Sequence, residues 1–368
     1  MILEERDQTA FHSLAARLEV LFGRGPDQAW TDEEFGALAL EVFEVQFTSN
    51  VVYRGFCEGR GVTSASVDDW REIPAVPTRA FKHLDLLSAS PAEATFQTSG
   101  TTSDLGLRGR HLIPRVSLYE ASLLPCFSAH LMPEGKSLRF ISLIPDPEDA
   151  RGSSLSYMVG AAARRFASRT DYVVDGSGVV DHGVLAAALA DAQAAAEAVL
   201  MLGTAFAFMN VMEHSDVCLG PLPQGSRIME TGGFKGRGRA VPRDELYEAM
   251  SRATSVPVER IVNEYGMTEL LAQLYEPVLT GESLGCGHIA PPWLQVRAVD
   301  PTTLRELPEG EAGLLTFFDL ANAGSVAHIL TEDFGAVRDG RVFLEGRAAG
   351  AEPRGCSRAM DELMAVAR

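Results

Sequence analysis

Between residues 137 and 263, short apolar runs alternate with helical stretches of roughly ten to fifteen residues, and that alternation restricts the chain to a parallel sheet with helices on its faces. Residues 137–144 read as an apolar strand ended by Pro145 and Pro147, and 198–202 as a buried strand. Residues 227–230 and 260–263 read as two more strands, the first running into glycines. Helices are predicted over the alanine-rich 184–196, from Thr204 to near His214, and over 243–253.

The flanks have other textures. Up to about Gly55 the chain reads as amphipathic helices, with Phe11, Leu14, Leu18 and Leu21 at three-to-four spacing and Thr31-Asp-Glu-Glu34 as a capping box. Residues 70–87 are cut by prolines, each disfavouring helix in the residue before it, so this stretch is predicted to wrap rather than pack. A helix is predicted over 117–130. Beyond Ala290, strands at 294–299, 313–318 and 341–344, joined by Pro/Gly/Asp turns, suggest a small antiparallel barrel or sheet. The tail, 346–368, reads as a flexible Gly/Ala/Pro run and then a short helix from about Ser357.

Charge and cysteine usage exclude several functions. A net charge of −18 over 368 residues supplies no basic field for nucleic acid or an anionic membrane surface. The N-terminus (MILEERDQT) has no apolar signal core, and the longest apolar stretch, 198–209, is too short to span a bilayer. Cys57, Cys126, Cys218, Cys286 and Cys356 lie far apart without CxxC spacing, so neither a disulfide framework nor a zinc site is expected, and a reducing cytoplasm fits best. The 8 histidines show no metal-like spacing, and no GxSxG elbow or Walker loop is present.

Four segments carry candidate chemistry. Thr98-Ser-Gly-Thr-Thr-Ser103 gathers hydroxyls and backbone N–H donors suited to polyphosphate oxygens, or is a solvated turn. Glu230-Thr-Gly-Gly-Phe-Lys-Gly236 follows a strand, and its paired glycines permit close approach to a planar ring. In Asn263-Glu-Tyr-Gly-Met-Thr-Glu269 a strand empties into a turn at the sheet's carboxyl edge, where Tyr265 suits a base, Thr268 a phosphate oxygen and Glu269 Mg²⁺. Thr331-Glu-Asp333 places a carboxylate after a predicted strand, able to accept two ribose hydroxyls.

The order TSGTT, GG, YGMTE, TED and then Gly346-Arg347 resembles the adenylate-forming superfamily of acyl-CoA synthetases, adenylation domains and luciferases. The resemblance implies an α/β fold: the large domain of such an enzyme, with helix-flanked β-sheets and a small β-barrel-like subdomain. The usual C-terminal lid domain would be reduced to a short tail, giving an adenylation core at 1–347 and a tail at 348–368. It also implies ATP and Mg²⁺ as cofactors. Thr98, Ser99, Gly100, Thr101 and Thr102 would hold the β- and γ-phosphates, and Thr231, Gly232, Gly233, Tyr265 and Gly266 would flank adenine. Thr268 would contact the α-phosphate, Glu269 the metal and Asp333 the ribose, with Arg347 near the end of the large domain.

Asn50-Val-Val-Tyr-Arg-Gly-Phe-Cys57, Ile73-Pro-Ala-Val-Pro-Thr-Arg-Ala-Phe-Lys82, Gly203-Thr-Ala-Phe206, Gly232-Gly-Phe-Lys235 and Arg354-Gly-Cys-Ser357 narrow the resemblance to one branch. They look like the acyl-protein synthetase of the bacterial luminescence fatty-acid reductase complex. That likeness implies activation of a carboxylic, in that family fatty, acid to acyl-AMP and transfer to Cys356. The acyl group would then pass to a partner, an acyl reductase or a carrier. Arg354, Arg358 and a following helix N-terminus would lower the Cys356 thiol pKa, and a flexible tail would let it swing to the acyl-adenylate. The alternatives are a carboxylate ligase serving coenzyme A or a carrier protein, and an inactive nucleotide-binding subunit.

No lysine follows Lys235, so Lys235 is the candidate cation for the carboxylate or α-phosphate, with Arg108 or Arg110 as substitutes. Residues 153–157 and 204–208 are expected at strand ends, lining an acyl cavity.

Overall fold

The alternation over 137–263 does fold as parallel strands. The computed structural model describes residues 5–98, 107–214, 217–232, 241–347 and 353–367. Contacts separate a first unit, residues 1–125, 267–273 and 289–368, from a second, 126–266 and 274–288.

In the second unit, Leu138–Ser142 lies between Ala167–Tyr172 and Val199–Thr204, followed outward by Arg227–Thr231 and Ile261–Tyr265, all parallel. Leu274–Tyr275 adds antiparallel to the last of these. The first two strands are thus swapped relative to chain order, which puts a topological switch point between Leu138–Ser142 and Val199–Thr204. Sheets of this kind place ligands outside the carboxyl ends of their strands. Ala167–Tyr172 was not expected: ASRTDY is a partly exposed edge strand without an apolar run.

Helices cover this sheet with one apolar stripe each. Leu185, Ala188, Leu189 and Ala192 of His182–Ala194 join Met201, Ile228 and Ile261 of the strands and Leu246, Tyr247 and Met250 of Arg243–Thr254 in one core. Ser153 is not at a strand end. It caps the helix Ser154–Phe166, accepting from the Ser156 N–H at 3.1 Å, because a serine ahead of a helical run satisfies a free amide there. Thr204 does end its strand and accepts from the Ala207 N–H at 3.1 Å, but Phe208 belongs to the core.

The first unit begins with Glu5–Phe22, which buries Phe11, Leu14, Ala15, Leu18 and Phe22. Asp32–Ser49 opens on the expected capping box of Thr31 and Glu34. Asn50 then ends that helix and caps Val51–Gly59, accepting from the Tyr53 N–H at 3.0 Å. Antiparallel strands follow in the order Leu294–Val299, Gly313–Asp319, His328–Arg338 and Arg341–Arg347. The sequence announced a strand only ahead of Thr331 and not the whole of His328–Arg338, since Thr-Glu-Asp and Gly335 interrupt its apolar pattern and a bulge shifts its register at Phe334/Gly335.

Two expectations for this unit are corrected. Residues 70–87 pack: Trp70, Ile73, Val76, Phe81 and Leu86 are all buried, and Val76–Pro77 pairs with Ile329–Leu330. Proline blocks helix but not burial, and the Trp70 ring meets Phe35 and Phe318 edge-on. The tail helix starts earlier than expected, as Arg354–Val366, with Cys356 inside its first turn.

Candidate functional site

The carboxyl ends of the second unit's strands carry the GG and YG motifs. Thr231 and Glu264 are register partners on neighbouring strands, and the buried Thr231 hydroxyl donates to Glu264 Oε2. Gly232 follows at a φ of 66°, in the left-handed region that favours glycine. Gly233 and Lys235 lie outside the described residues.

Behind Tyr265 sits a buried polar network. Asn263 Nδ2 donates to Glu230 Oε2 at 2.5 Å, so its Oδ1 is the acceptor for His288 Nε2–H at 2.6 Å. Tyr247 donates to Glu230 at 3.3 Å, and Arg243 donates to Tyr247 at 3.2 Å and pairs with Glu276. The His288 and Tyr265 rings are 6.5 Å apart, so this network backs the Tyr265 side chain. Burial pushes the Glu230 carboxyl up to about 7 against the Asn263 hydrogen bond, which favours the ionised form.

A folded-state pKa above the unfolded value near 4.5 gives a stabilising contribution that is complete below pH 4.5 and lost as pH rises through 7. Glu230→Gln removes that dependence. Urea unfolding should therefore show the wild type losing about 3 kcal/mol relative to Glu230→Gln between pH 4.5 and pH 8. A difference flat with pH would contradict the buried carboxyl.

In the first unit, Thr268 and Glu269 lie on a turn held from behind through main-chain atoms. His111 Nδ1 meets the Thr268 carbonyl oxygen at 2.7 Å, and Asn322 Nδ2 donates to the Glu269 carbonyl at 2.8 Å. The fully buried Asp319 accepts from the N–H groups of Leu271 at 2.8 Å and Ala272 at 2.9 Å. Burial raises the Asp319 carboxyl to about 6 despite these bonds and one from Ala321. Gln46 secures this support: its Nε2 donates to the carbonyls of Asn322 and Ala323, and its Oε1 accepts from Ala327 N–H. Sequence reading missed His111, Asn322 and Asp319 as supports; the available signal was a polar residue at the end of an apolar run, as in Gly313–Asp319.

Thr98 forms the neck of the hydroxyl-rich loop. Its N–H donates to the Gly109 carbonyl at 2.9 Å, and the Gly109 N–H donates back to Thr98 Oγ1 at 2.8 Å, so this hydroxyl closes the hairpin. Ser99, Gly100, Thr101 and Thr102 lie outside the described residues. Of the two arginines offered as substitutes for Lys235, Arg108 is exposed and Arg110 pairs with Asp85 at 2.8 Å.

Asp333 does not follow a strand but lies within His328–Arg338, because the strand continues through the motif. Its register partner is Arg347, whose Nε is 3.3 Å from Asp333 Oδ1, so the structure brings these two candidates together. Thr331 Oγ1 donates to the Leu315 carbonyl and accepts from Asp333 N–H at 3.1 Å, fixing the local backbone.

Cys356 is not on a free tail. Its thiol is 2% exposed among Val299, Leu314 and Leu330, and its Sγ lies 3.9 Å from the Thr331 carbonyl oxygen. Arg354 and Arg358 are exposed on another face, since residues two apart on a helix do not share a side. The helix is seated by Arg60 on Glu362 at 2.6 Å and by Gly55, where an added Cβ would fall 2.3 Å from Val366 Cγ1.

Of the motif's two carboxylates Glu264 is buried and accepts from Thr231, whereas the half-buried Glu269 suits Mg²⁺, which binds through one or two carboxylates and completes its shell with phosphate oxygens and water. Among the described residues no helix is long and apolar enough to cross a membrane.

The sequence model of a family described as "Acyl-protein synthetase, LuxE" matches residues 27–365. A relative from Vibrio harveyi, "Long-chain-fatty-acid--luciferin-component ligase", is 25% identical over 342 residues, covering 89% of this chain and 87% of the relative. Among solved structures, 2-hydroxyisobutyryl-CoA ligase in complex with 2-HIB-AMP and CoA superposes with a TM-score of 0.62 at 17% identity, covering 90% of this chain and 69% of the other. ATP-bound MatB from Rhodopseudomonas palustris gives a TM-score of 0.51 at 16% identity over 71% of this chain, which spans about half of MatB's length (48%). The fold is therefore that of the adenylate-forming ligases.

Proposed function

The chain belongs to the LuxE acyl-protein synthetase family and is an acyl-protein ligase, and on that premise we propose that it activates a long-chain fatty acid with ATP and loads the acyl group onto Cys356. The acid's carboxylate oxygen attacks the α-phosphorus of ATP, and the bond to pyrophosphate breaks, giving acyl-AMP. The Cys356 thiolate then attacks the acyl carbon, AMP leaves, and the thiol proton passes to solvent. A partner, an acyl reductase or a carrier protein, takes the acyl group from the thioester.

The single observation that carries this reading is the motif order on a fold shared with adenylate-forming ligases. Joining two anions requires positioning and charge neutralisation rather than an acid or a base. In this reading the loop from Thr98 to Thr102 holds the β- and γ-phosphates. Thr231, Gly232, Gly233, Tyr265 and Gly266 flank adenine, with Tyr265 backed by the Asn263–His288 pair. Thr268 contacts the α-phosphate, and Asp333, oriented by Arg347, accepts the ribose hydroxyls. Glu269 holds Mg²⁺, which when bound offsets the phosphate charge. Lys235 contacts the carboxylate or α-phosphate. Because Cys356 is buried, acyl transfer to it requires the helix Arg354–Val366 to leave its seat.

The reaction is tested by exchange of labelled pyrophosphate into ATP. Exchange should depend on added fatty acid and fall about a hundredfold in Lys235→Ala. Acid-independent exchange, or no exchange with any carboxylic acid, refutes the activation step; near-normal exchange in Lys235→Ala removes that residue's role.

A further inference from the structure

We propose that His111 is a positioning residue, which sets the turn carrying Thr268 and Glu269 against the hairpin whose neck is Thr98 and Gly109. The inference rests on the proposed reaction for its catalytic consequence, but on the first unit's geometry for the link itself.

His111 lies on Arg110–Ile113, opposite Phe96 on Ala94–Gln97, the strand that leads directly into Thr98. A carbonyl oxygen only accepts, so the nitrogen 2.7 Å from the Thr268 carbonyl, Nδ1, carries the proton. Burial holds the imidazole neutral, lowering it to about 4, which leaves Nε2 a bare acceptor. The ring is fully buried with its plane fixed edge-on to Phe81, the centroids 5.2 Å apart. One donor in one orientation therefore joins the hairpin to a turn whose Thr268 lies 157 residues beyond His111 in sequence.

The other ring nitrogen argues against a merely space-filling histidine. Nε2 is buried and has no hydrogen-bond partner among the described residues, as is also true of Asn322 Oδ1. His111 and Asn322 line the same small cavity, and each spends its donor on a carbonyl of the Thr268–Glu269 turn. A buried unpaired acceptor costs about 1–3 kcal/mol, which an apolar residue of similar size would avoid. What only the histidine supplies is the Nδ1–H bond. It matters to an in-line displacement because misplacing a reacting group by about 1 Å costs about a hundredfold in rate.

The test uses the full chain. His111→Phe keeps the ring and its contact with Phe81 but loses the donor; His111→Asn presents an N–H where Nδ1 stood. His111→Phe should lower kcat for acid-dependent pyrophosphate exchange about a hundredfold with KM for ATP moved less than about threefold. His111→Asn should recover to within about tenfold of wild type. Independently of catalysis, hydrogen exchange at the Gly109, Leu271 and Ala272 amides should accelerate at least about tenfold in His111→Phe. Unchanged amide protection in His111→Phe, a kcat within about threefold of wild type, or a His111→Asn variant as slow as His111→Phe overturns the proposal. A wild-type chain that shows no acid-dependent exchange sinks the proposed reaction instead, and amide protection then decides the link.

Discussion

Cys356→Ser should abolish the acyl-enzyme while leaving acid-dependent pyrophosphate exchange within about twofold of wild type. Exchange reports formation and reversal of acyl-AMP, which needs no thiol, whereas a covalent acyl group needs the sulfur nucleophile. The family likeness places the acyl group on a cysteine near the C-terminus, and here that thiol is 2% exposed beneath its own helix. The proposed loading of Cys356 therefore includes an opening step. Glu362→Gln, which removes the ion pair with Arg60, should accelerate both acylation and alkylation of Cys356 by iodoacetamide, with the exposed Cys218 as an internal control. Serine in an apolar pocket costs about 1–2 kcal/mol, so thermal melting must accompany the assay. Mass spectrometry of the chain after incubation with ATP and fatty acid detects the thioester directly. Equal acylation of the serine variant refutes the carrier role, and a variant that still makes acyl-CoA favours a coenzyme A ligase.

The local rules made much of this fold readable. The Thr31–Glu34 capping box, the parallel strands from Leu138 to Tyr265 and the antiparallel set beyond Ala290 follow from side chains close in sequence. What stayed hidden depends on distant partners. Nothing near His111 marks it as the donor to Thr268, and Asp319 shows its purpose only against Leu271 and Ala272, about fifty residues away. The continuation of His328–Arg338 past Thr331 was obscured because its motif residues replace the apolar alternation by which strands are read. The burial of Cys356 had a faint local signal, the spacing of Cys356, Ala359 and Leu363 along one helix face. The flanking arginines suggest an exposed thiol, although helix geometry turns them away.

Glu269→Gln should cut acid-dependent pyrophosphate exchange by about a thousandfold and raise the Mg²⁺ concentration needed for half-maximal rate. An amide keeps the size of the carboxylate and one oxygen, but it loses the charge that holds a hard divalent cation against polyphosphate. The structure favours this position as a clean probe because the turn is held through its main chain. His111 and Asn322 engage the carbonyls of Thr268 and Glu269, and Asp319 engages the amides of Leu271 and Ala272. Those main-chain bonds remain in Glu269→Gln, and thermal melting alongside the assay separates loss of the metal from loss of the turn. Glu269→Asp keeps the charge one methylene short and should fall between the two, recovering in part as Mg²⁺ is raised. The contrast with His111→Phe separates holding the metal from holding the turn: excess Mg²⁺ should partly restore Glu269→Asp and leave His111→Phe unchanged. Exchange in Glu269→Gln within about tenfold of wild type at low Mg²⁺ would remove the carboxylate from the metal site and move the search to the phosphate loop.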